Sequence, residues 1–554
     1  MMKLLVKNGV IFDPINKIEG EVKDVLIENG KFVDKFSSEK EVKQIDAKGK
    51  TIIPSALDIH AHIASYQLNL IRLLGAKNEK FKNYWDGLKL KSIANNYIEQ
   101  GFSFILEANV YPSYAKQTLF DFSHIPVLDK AFLLNISNLW ALELEYQKGL
   151  YKEGANFLSD LLKKLKGFGI KVYNPFEAEN WNWNILRKDI EEKGRLYNFN
   201  ALDVYLNITK IIEFLALPHS VHAHVEGYEL NEAKSNLIKT LDGIKALNLS
   251  QINDNDNKTK RTQIFHLAHA SSYNYDGDNS EIIDFYNKNE KFDLDLGFVS
   301  FNPINPVLTS DRRLINFLIS SNENLSIIRG SLESEGDCFV ALRTLEKSNM
   351  THCNIWGNAL DLALNIKNKW QIQYSLNYPI YGDIKNTPQI YALLMSSKLR
   401  EQYMNDMNPN FLKTHPIVND LKEYTFNDLI IITRSSPAKS LGLSNYKGNL
   451  NSGSDGDLNI LNIDINEIDS SRQVDSIIKA FKNIEYVIKT GNIVKKNDKI
   501  SLDYQGKIYW SNRVGESEKL DNVMNKKKDF YQKYSSIFYD SFDTTIKKEF
   551  LREI

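Results

Sequence analysis

Cysteine is nearly absent from this chain: its 554 residues contain two, Cys338 and Cys353. That excludes a disulfide framework, an iron–sulfur cluster and a thiolate zinc site, and it suits a reducing, cytoplasmic setting. Long apolar runs are missing as well. The stretch from Met1 to Gly9 lacks the apolar core of about 7–15 residues that a secretory signal needs, and nothing approaches the roughly 18 apolar residues of a membrane span. Excess charge of one sign is absent: 69 Lys and Arg against 70 Asp and Glu leave a formal net charge of −1. Neither nucleic acid nor a membrane is therefore expected as a partner. No G-x-G-x-x-G follows a strand-like run, so any redox step belongs to another protein. No internal repeat is visible. What remains is an ordinary globular composition, 42% apolar and 25% charged, with material for a sizeable core.

Histidine, in contrast, is concentrated. Of ten histidines, seven fall in three groups: His60/His62, His219/His222/His224 and His266/His269. The first group, Asp58-Ile-His-Ala-His62, ends the apolar run Lys50-Thr-Ile-Ile-Pro-Ser-Ala-Leu57, which reads as a buried strand. Alternate residues of a strand face one way, so His60 and His62 present two imidazoles to one ion.

The rest of the chain supplies a frame. Residues 1–50 read as strands joined by tight turns, with Lys7-Asn8-Gly9 and Glu28-Asn29-Gly30 as hairpin turns. After His62, helix-length and strand-length pieces alternate. Residues 157–166 form a helical stripe of Leu158, Leu161, Leu162 and Leu165 before a strand over 169–174; residues 204–215 precede Ser220-Val-His-Ala-His-Val225; residues 359–366 precede a strand over 370–376. Such alternation predicts an α/β protein with a parallel sheet, which a (β/α)8 barrel closes without edges. Catalytic groups then lie at the C-terminal ends of strands, where the histidines fall. Asn253–Lys258 reads as a polar loop, and short strands return after residue 446, with a turn at Thr490-Gly491. The expected organisation is a small β-sandwich domain built from 1–52 and 441–510, a barrel over 53–440, and a helical tail over 511–554 available for subunit contact.

Lys171 sits between apolar Ile170 and Val172 and between two histidine groups. A lysine in that position can add CO2 to form a carbamate, an anionic ligand able to bridge two divalent ions. Imidazole and oxygen ligands with open positions suit zinc, and two zinc ions polarise a carbonyl and supply hydroxide at neutral pH.

The order H-x-H, Lys, His, His, in a barrel flanked by a two-ended β domain, resembles the amidohydrolase superfamily of dihydroorotases and hydantoinases. Longer segments are more specific: Asp58-Ile-His-Ala-His-Ile-Ala64, Glu107-Ala108, Gly167-Phe-Gly-Ile-Lys-Val-Tyr-Asn-Pro175, Glu177-Ala with Trp181-Asn-Trp183, Leu217-Pro-His-Ser-Val-His-Ala-His224 and Arg434-Ser-Ser-Pro-Ala-Lys-Ser-Leu-Gly442. These are similar to the A-type components of formylmethanofuran dehydrogenases and of the formyltransferase/hydrolase complexes of methylotrophic bacteria. The likeness covers nearly the whole chain and weakens in the inserted loops and the tail.

The resemblance implies a distorted (β/α)8 barrel of amidohydrolase type holding two Zn2+ bridged by carboxylated Lys171. The remaining ligands it implies are His60, His62, His269 and one of His222 and His224; V-H-A patterns favour His222, and a slip of two residues gives His224. It implies hydrolysis of N-formylmethanofuran, or an analogue, to formate and the free amine, in a complex with other subunits that serves tetrahydromethanopterin-linked one-carbon oxidation. Asn174, Trp181 and Trp183 are weaker candidates for substrate contact. One position departs from the family: Ser375-Leu-Asn-Tyr-Pro-Ile380 aligns with a T-T-D-H-P-N-like stretch, placing Asn377 where a catalytic aspartate is expected. An amide cannot take a proton at neutral pH, so turnover needs another group, such as Asp383, to reach in. The alternatives are a catalytically impaired scaffold component of the same complex and another amide or cyclic-amide hydrolase.

Overall fold

The computed structural model describes residues 2–76, 87–176, 189–195, 198–227, 230–249, 261–302, 304–321, 326–332, 335–513 and 520–554. Trp181, Trp183 and the polar loop at 253–258 lie outside these. Eight parallel strands follow one another around a nearly closed barrel: Ala56–Ala61, Phe102–Val110, Asp129–Asn135, Gly169–Tyr173, Val221–His224, Phe265–Leu267, Phe292–Asp295 and Ile372–Gln373. Each of the first seven pairs in parallel with the next. All six residues of the first strand are buried, as expected of a parallel strand covered on both faces.

The ring closes through a single bridge, Ala61 to Tyr378, where the His62 amide donates to the Tyr378 carbonyl at 2.7 Å. This closure brings the loop carrying Asn377 against the strand carrying His60 and His62. Helices set the depth of the other strands. Tyr151–Leu165 stops where Lys166 turns left-handed (φ 59°), three residues before the strand bearing Lys171. Ala201–Leu215 starts at a capping box of Asn200 and Asp203, and its end feeds Val221–His224. Between the seventh and eighth strands an antiparallel three-stranded sheet is inserted, Asn305–Thr309, Ser326–Leu332 and Gly336–Arg343.

Strands from both chain ends join in one nine-stranded sheet. Lys3–Asp13 pairs with Ile18–Glu28, Val42–Asp46 and Thr51–Pro54, and Thr51–Pro54 pairs with Leu458–Leu461 from the far end. Val6, Ile27, Ile52, Ile460 and Ile488 fill a core separate from that of the barrel. Two expected turns form hairpins: Asn29-Gly30 (φ 52° and 80°) and Thr490-Gly491 (φ 48° and 75°). Asn8-Gly9 does not. Lys3–Asp13 runs straight through it, and Asn8, at φ 60°, makes a bulge that shifts the register between Val6 and Gly9. Gly9 is needed for close approach, since a Cβ there would lie 2.1 Å from Ile52 Cδ1.

Ile508–Trp510, expected in the β domain, instead adds to the barrel sheet beside Asp129–Asn135 and pairs with Leu551–Glu553 at the chain's end. The tail helix Leu520–Tyr534 packs on Tyr151–Leu165, and the Lys527 ammonium donates to Glu145 at 2.6 Å. Lys447 and Lys489 tie the two sheets through Asp129, at 2.5 and 2.7 Å, both lysines also pairing with Asp457. Among the described residues no helix is long and apolar enough to cross a membrane.

Candidate metal centre

The C-terminal ends of the strands surround one small buried cavity of about 30 Å³. His60, His62, Lys171, His224, His269 and Asn377 line it, joined by Gln67, Asn109, Tyr173 and Tyr381, with Val307, Leu308 and Cys338 from the inserted sheet. Thus five of the six residues expected as metal ligands converge. The sixth, His222, does not line the cavity. Lys171 pairs in register with His222 and Tyr173 with His224, so the two histidines point the same way at different depths. His224 reaches the mouth, its ring centroid 4.5 Å from that of His269, while His222 lies in the floor, 4.3 Å from His266.

The floor fixes how the upper imidazoles face. A carbonyl only accepts, so His219 Nδ1 donates to Ser440 O at 2.9 Å. His219 Nε2 then accepts from His222 Nδ1 at 3.1 Å, and His222 Nε2 accepts from His60 Nδ1 at 3.0 Å. The same His60 proton also faces Asp295 Oδ2, at 3.1 Å. His60 Nε2 is thereby left with its lone pair. Glu107 does the equivalent for His62, its Oε1 lying 3.3 Å from Nδ1 while Oε2 accepts from the Ile63 and Ala64 amides at 2.6 and 2.8 Å. Carboxylates behind imidazoles in this way orient metal-ligating histidines.

Asp295, at the end of the seventh strand, is a site residue that the sequence motifs do not signal. It accepts from the His269 amide at 3.0 Å, from Ser375 Oγ, from His60 and from His266 Nε2 at 3.2 Å. Burial alone would raise its pKa, but His60 and His266 hold it well below the usual carboxylate range. It therefore stays an anion that takes no proton. His266 is clamped between Asp295 and Asp293, the latter at 3.0 Å; burial works against its charge, yet the two carboxylates raise its pKa to about 9. His60 is lowered to about 3, and His224 and His269 well below 6.5, chiefly by burial, so their rings are neutral and able to coordinate. His269 adopts a left-handed backbone (φ 33°), a strained state of the kind found at functional sites; Gly297 makes room for it, since a Cβ there would lie 2.4 Å from His269 Cβ.

Burial lowers Lys171 to about 7, and its Nζ has no hydrogen-bond partner among the described residues. A buried amine whose charge burial disfavours, unpartnered among the described residues and amid four imidazoles, fits a lysine that carries CO2 and meets cations. Asn377 also lines the cavity, with φ 45° and an Oδ1 that lacks a partner among the described residues. Asp383 does not take its place: it caps the turn at Ile384–Asn386 through the Lys385 amide and does not line the cavity. Asn174, the residue after the strand Gly169–Tyr173, has its Nδ2 3.4 Å from Ser310 Oγ and does not line the cavity either. The donor set, imidazoles with a potential carbamate, fits zinc. His60, His222 and Asp295 also have metal-like spacing, but the atoms that face one another there, His60 Nδ1, His222 Nε2 and Asp295 Oδ2, are already spent on mutual hydrogen bonds.

An amidohydrolase-family sequence profile matches residues 379–495. Protein FwdA of Methanocaldococcus jannaschii is 28% identical over 559 residues, spanning 98% of this chain and 96% of that protein. The A component of the formyltransferase/hydrolase complex Fhc of Methylorubrum extorquens is 23% identical over 527 residues, spanning 91% and 90%. A chain of the crystal structure of the formyltransferase/hydrolase complex FhcABCD from the same bacterium, in complex with methylofuran, superposes with a TM-score of 0.86 at 20% identity, covering 100% of this chain and 99% of that one. The chain has the amidohydrolase fold and is similar along nearly its whole length to FwdA and to the A component of Fhc.

Proposed function

We propose that this chain is the hydrolytic component of a formyltransferase/hydrolase-type complex in the cytoplasm. Its substrate is the N-formyl amide of a methanofuran-type carrier. Water adds to the formyl carbon, the C–N bond breaks, and formate and the protonated amine leave. The observation that carries this reading is the convergence of His60, His62, His224, His269 and the unpartnered Lys171 amine on one buried cavity. End-to-end likeness to FwdA and to the A component of Fhc supports the assembly, and the methylofuran bound in the Fhc structure supports the carrier class.

His60, His62, His224 and His269, with Lys171 as its carbamate, would hold two zinc ions. Bound zinc supplies a polarised carbonyl and an acidified water. The chain does the rest. Lys171, poised near 7, forms an N–C bond to CO2 and releases a proton to solvent. Asp295 and Glu107 keep the Nδ1 protons of His60 and His62 turned away from the cavity, leaving Nε2 as the ligand atom. Walls of Val307, Leu308, Ile380 and Tyr381 keep bulk water out.

A second reading, a scaffold component with little turnover, is favoured by one observation: Asn377 cannot carry the proton from water to amine, and the neighbouring Asp295 is fully engaged. Formate release from the formylated carrier, measured on the purified complex beside its zinc content, separates the two. Formate from zinc-loaded protein supports the hydrolase. Zinc-free protein without turnover supports the scaffold.

A further inference from the structure

Gln67 is the second residue of the helix Tyr66–Gly75, five residues beyond His62, and it is 1% exposed. It lines the same cavity as the histidines and Lys171. Neither its Oε1 nor its Nε2 has a hydrogen-bond partner among the described residues. Buried polar atoms are nearly always paired, and leaving both ends of a carboxamide unpaired is costly enough to demand a reason. The segment that carries it is firmly held. Glu107 takes the amides of Ile63 and Ala64, and the Thr118 hydroxyl donates to the Ala64 carbonyl at 2.8 Å. The chain leading from His62 to Gln67 is thus held, and the Gln67 carboxamide has both a donor and an acceptor group to offer.

We infer that Gln67 recognises the substrate's amide by its N–H, which donates to Gln67 Oε1. This deepens the hydrolase reading and rests on it for the substrate class. A secondary amide offers that donor, on the side opposite its carbonyl oxygen in the trans form. An ester does not: its alkoxy oxygen would face Oε1 and leave it unpaired in a dry site. Sites built to hydrogen-bond a substrate group reject analogues that lack it more sharply than apolar pockets reject a missing methylene. Gln67 is therefore a determinant of amide-over-ester selectivity. It has no proton to give or take and performs no chemical step.

The test uses the full-length protein with its partner subunits and two probes without a formyl group, 1,1-dimethyl-3-furfurylurea and furfuryl N,N-dimethylcarbamate. They differ by one exchange of N–H for O on the furfuryl side of the carbonyl. Binding is measured by calorimetry for the wild type, Gln67→Met and Gln67→Leu, each first checked for folding by its melting temperature. The wild type is expected to bind the urea about tenfold more tightly than the carbamate. Both variants should bind the two probes alike, and should melt no lower than the wild type because they bury no unpaired polar atoms. Equal binding of both probes by the wild type, binding of neither, or discrimination that survives in Gln67→Met would overturn the inference. Gln67-dependent discrimination without formate release overturns hydrolysis alone, and formate release without discrimination overturns the role of Gln67 alone.

Discussion

Asp295 holds His60 from below: its Oδ2 lies 3.1 Å from His60 Nδ1, at the end of a strand six places along the barrel from the one that carries the H-x-H pair. An asparagine there can donate as well as accept, so Asp295→Asn removes the fixed tautomer as well as one negative charge. Partners behind ligating histidines are typically worth about 10–100-fold in metal affinity. Asp295→Asn is expected to lower zinc affinity by that factor in competition with a chromophoric chelator. Asp293→Asn, which touches His266 and not His60, is expected to change it by much less.

The two histidines of the fifth strand should part company. His224→Asn removes an imidazole that lines the cavity and is expected to lose zinc, read by elemental analysis, with little change in melting temperature. His222→Leu leaves the cavity lining intact but strands His219 Nε2, so it is expected to cost about 1–3 kcal/mol of stability in denaturant titration.

His266 gives the fold an alkaline limb. Its folded-state pKa, about 9, exceeds the ordinary 6.5, so the charged form is favoured by folding. The stabilisation is fully present below about pH 6.5 and is lost as pH rises through 9, a change of roughly 3 kcal/mol. Unfolding free energies measured between pH 6 and 10 should fall across that window in the wild type and stay flatter in His266→Gln.

Lys171 should carry CO2. Protein equilibrated with 13C-bicarbonate at pH 8 is expected to show one carbamate carbonyl resonance, absent from Lys171→Met and lost on acidification. The same variant should bind less than half of the wild-type zinc.

Much of the candidate site is legible in the sequence because the residues that line it stand at or near strand ends. Asp58-Ile-His-Ala-His62 and Lys171 stand in apolar runs with alternate residues facing inward, and the chain order of His60, Lys171, the 222/224 pair and His269 matches their order around the ring. The choice between His222 and His224 is not legible. Residues two apart on a strand face the same way, and only the register against Lys171 and Tyr173 tells floor from mouth. Asp295 has a faint signal in the two acids that alternate with apolar residues in Phe292–Asp295. Gln67 has none, since only tertiary packing leaves its amide unpaired. Asn8-Gly9 misleads because a bulge uses the same positive φ as a hairpin turn.

The most direct measurement is formate release from the N-formylated carrier by the purified complex, with zinc per chain determined on the same sample, for the wild type and Asn377→Asp. A hydrolase should hold close to two zinc ions per chain and release measurable formate that disappears on chelation. Its rate should rise by about 10²–10⁴ when the proton-accepting carboxylate is restored. Zinc-free protein that releases no formate in either form would contradict the hydrolytic role and leave a scaffold built on a hydrolase fold.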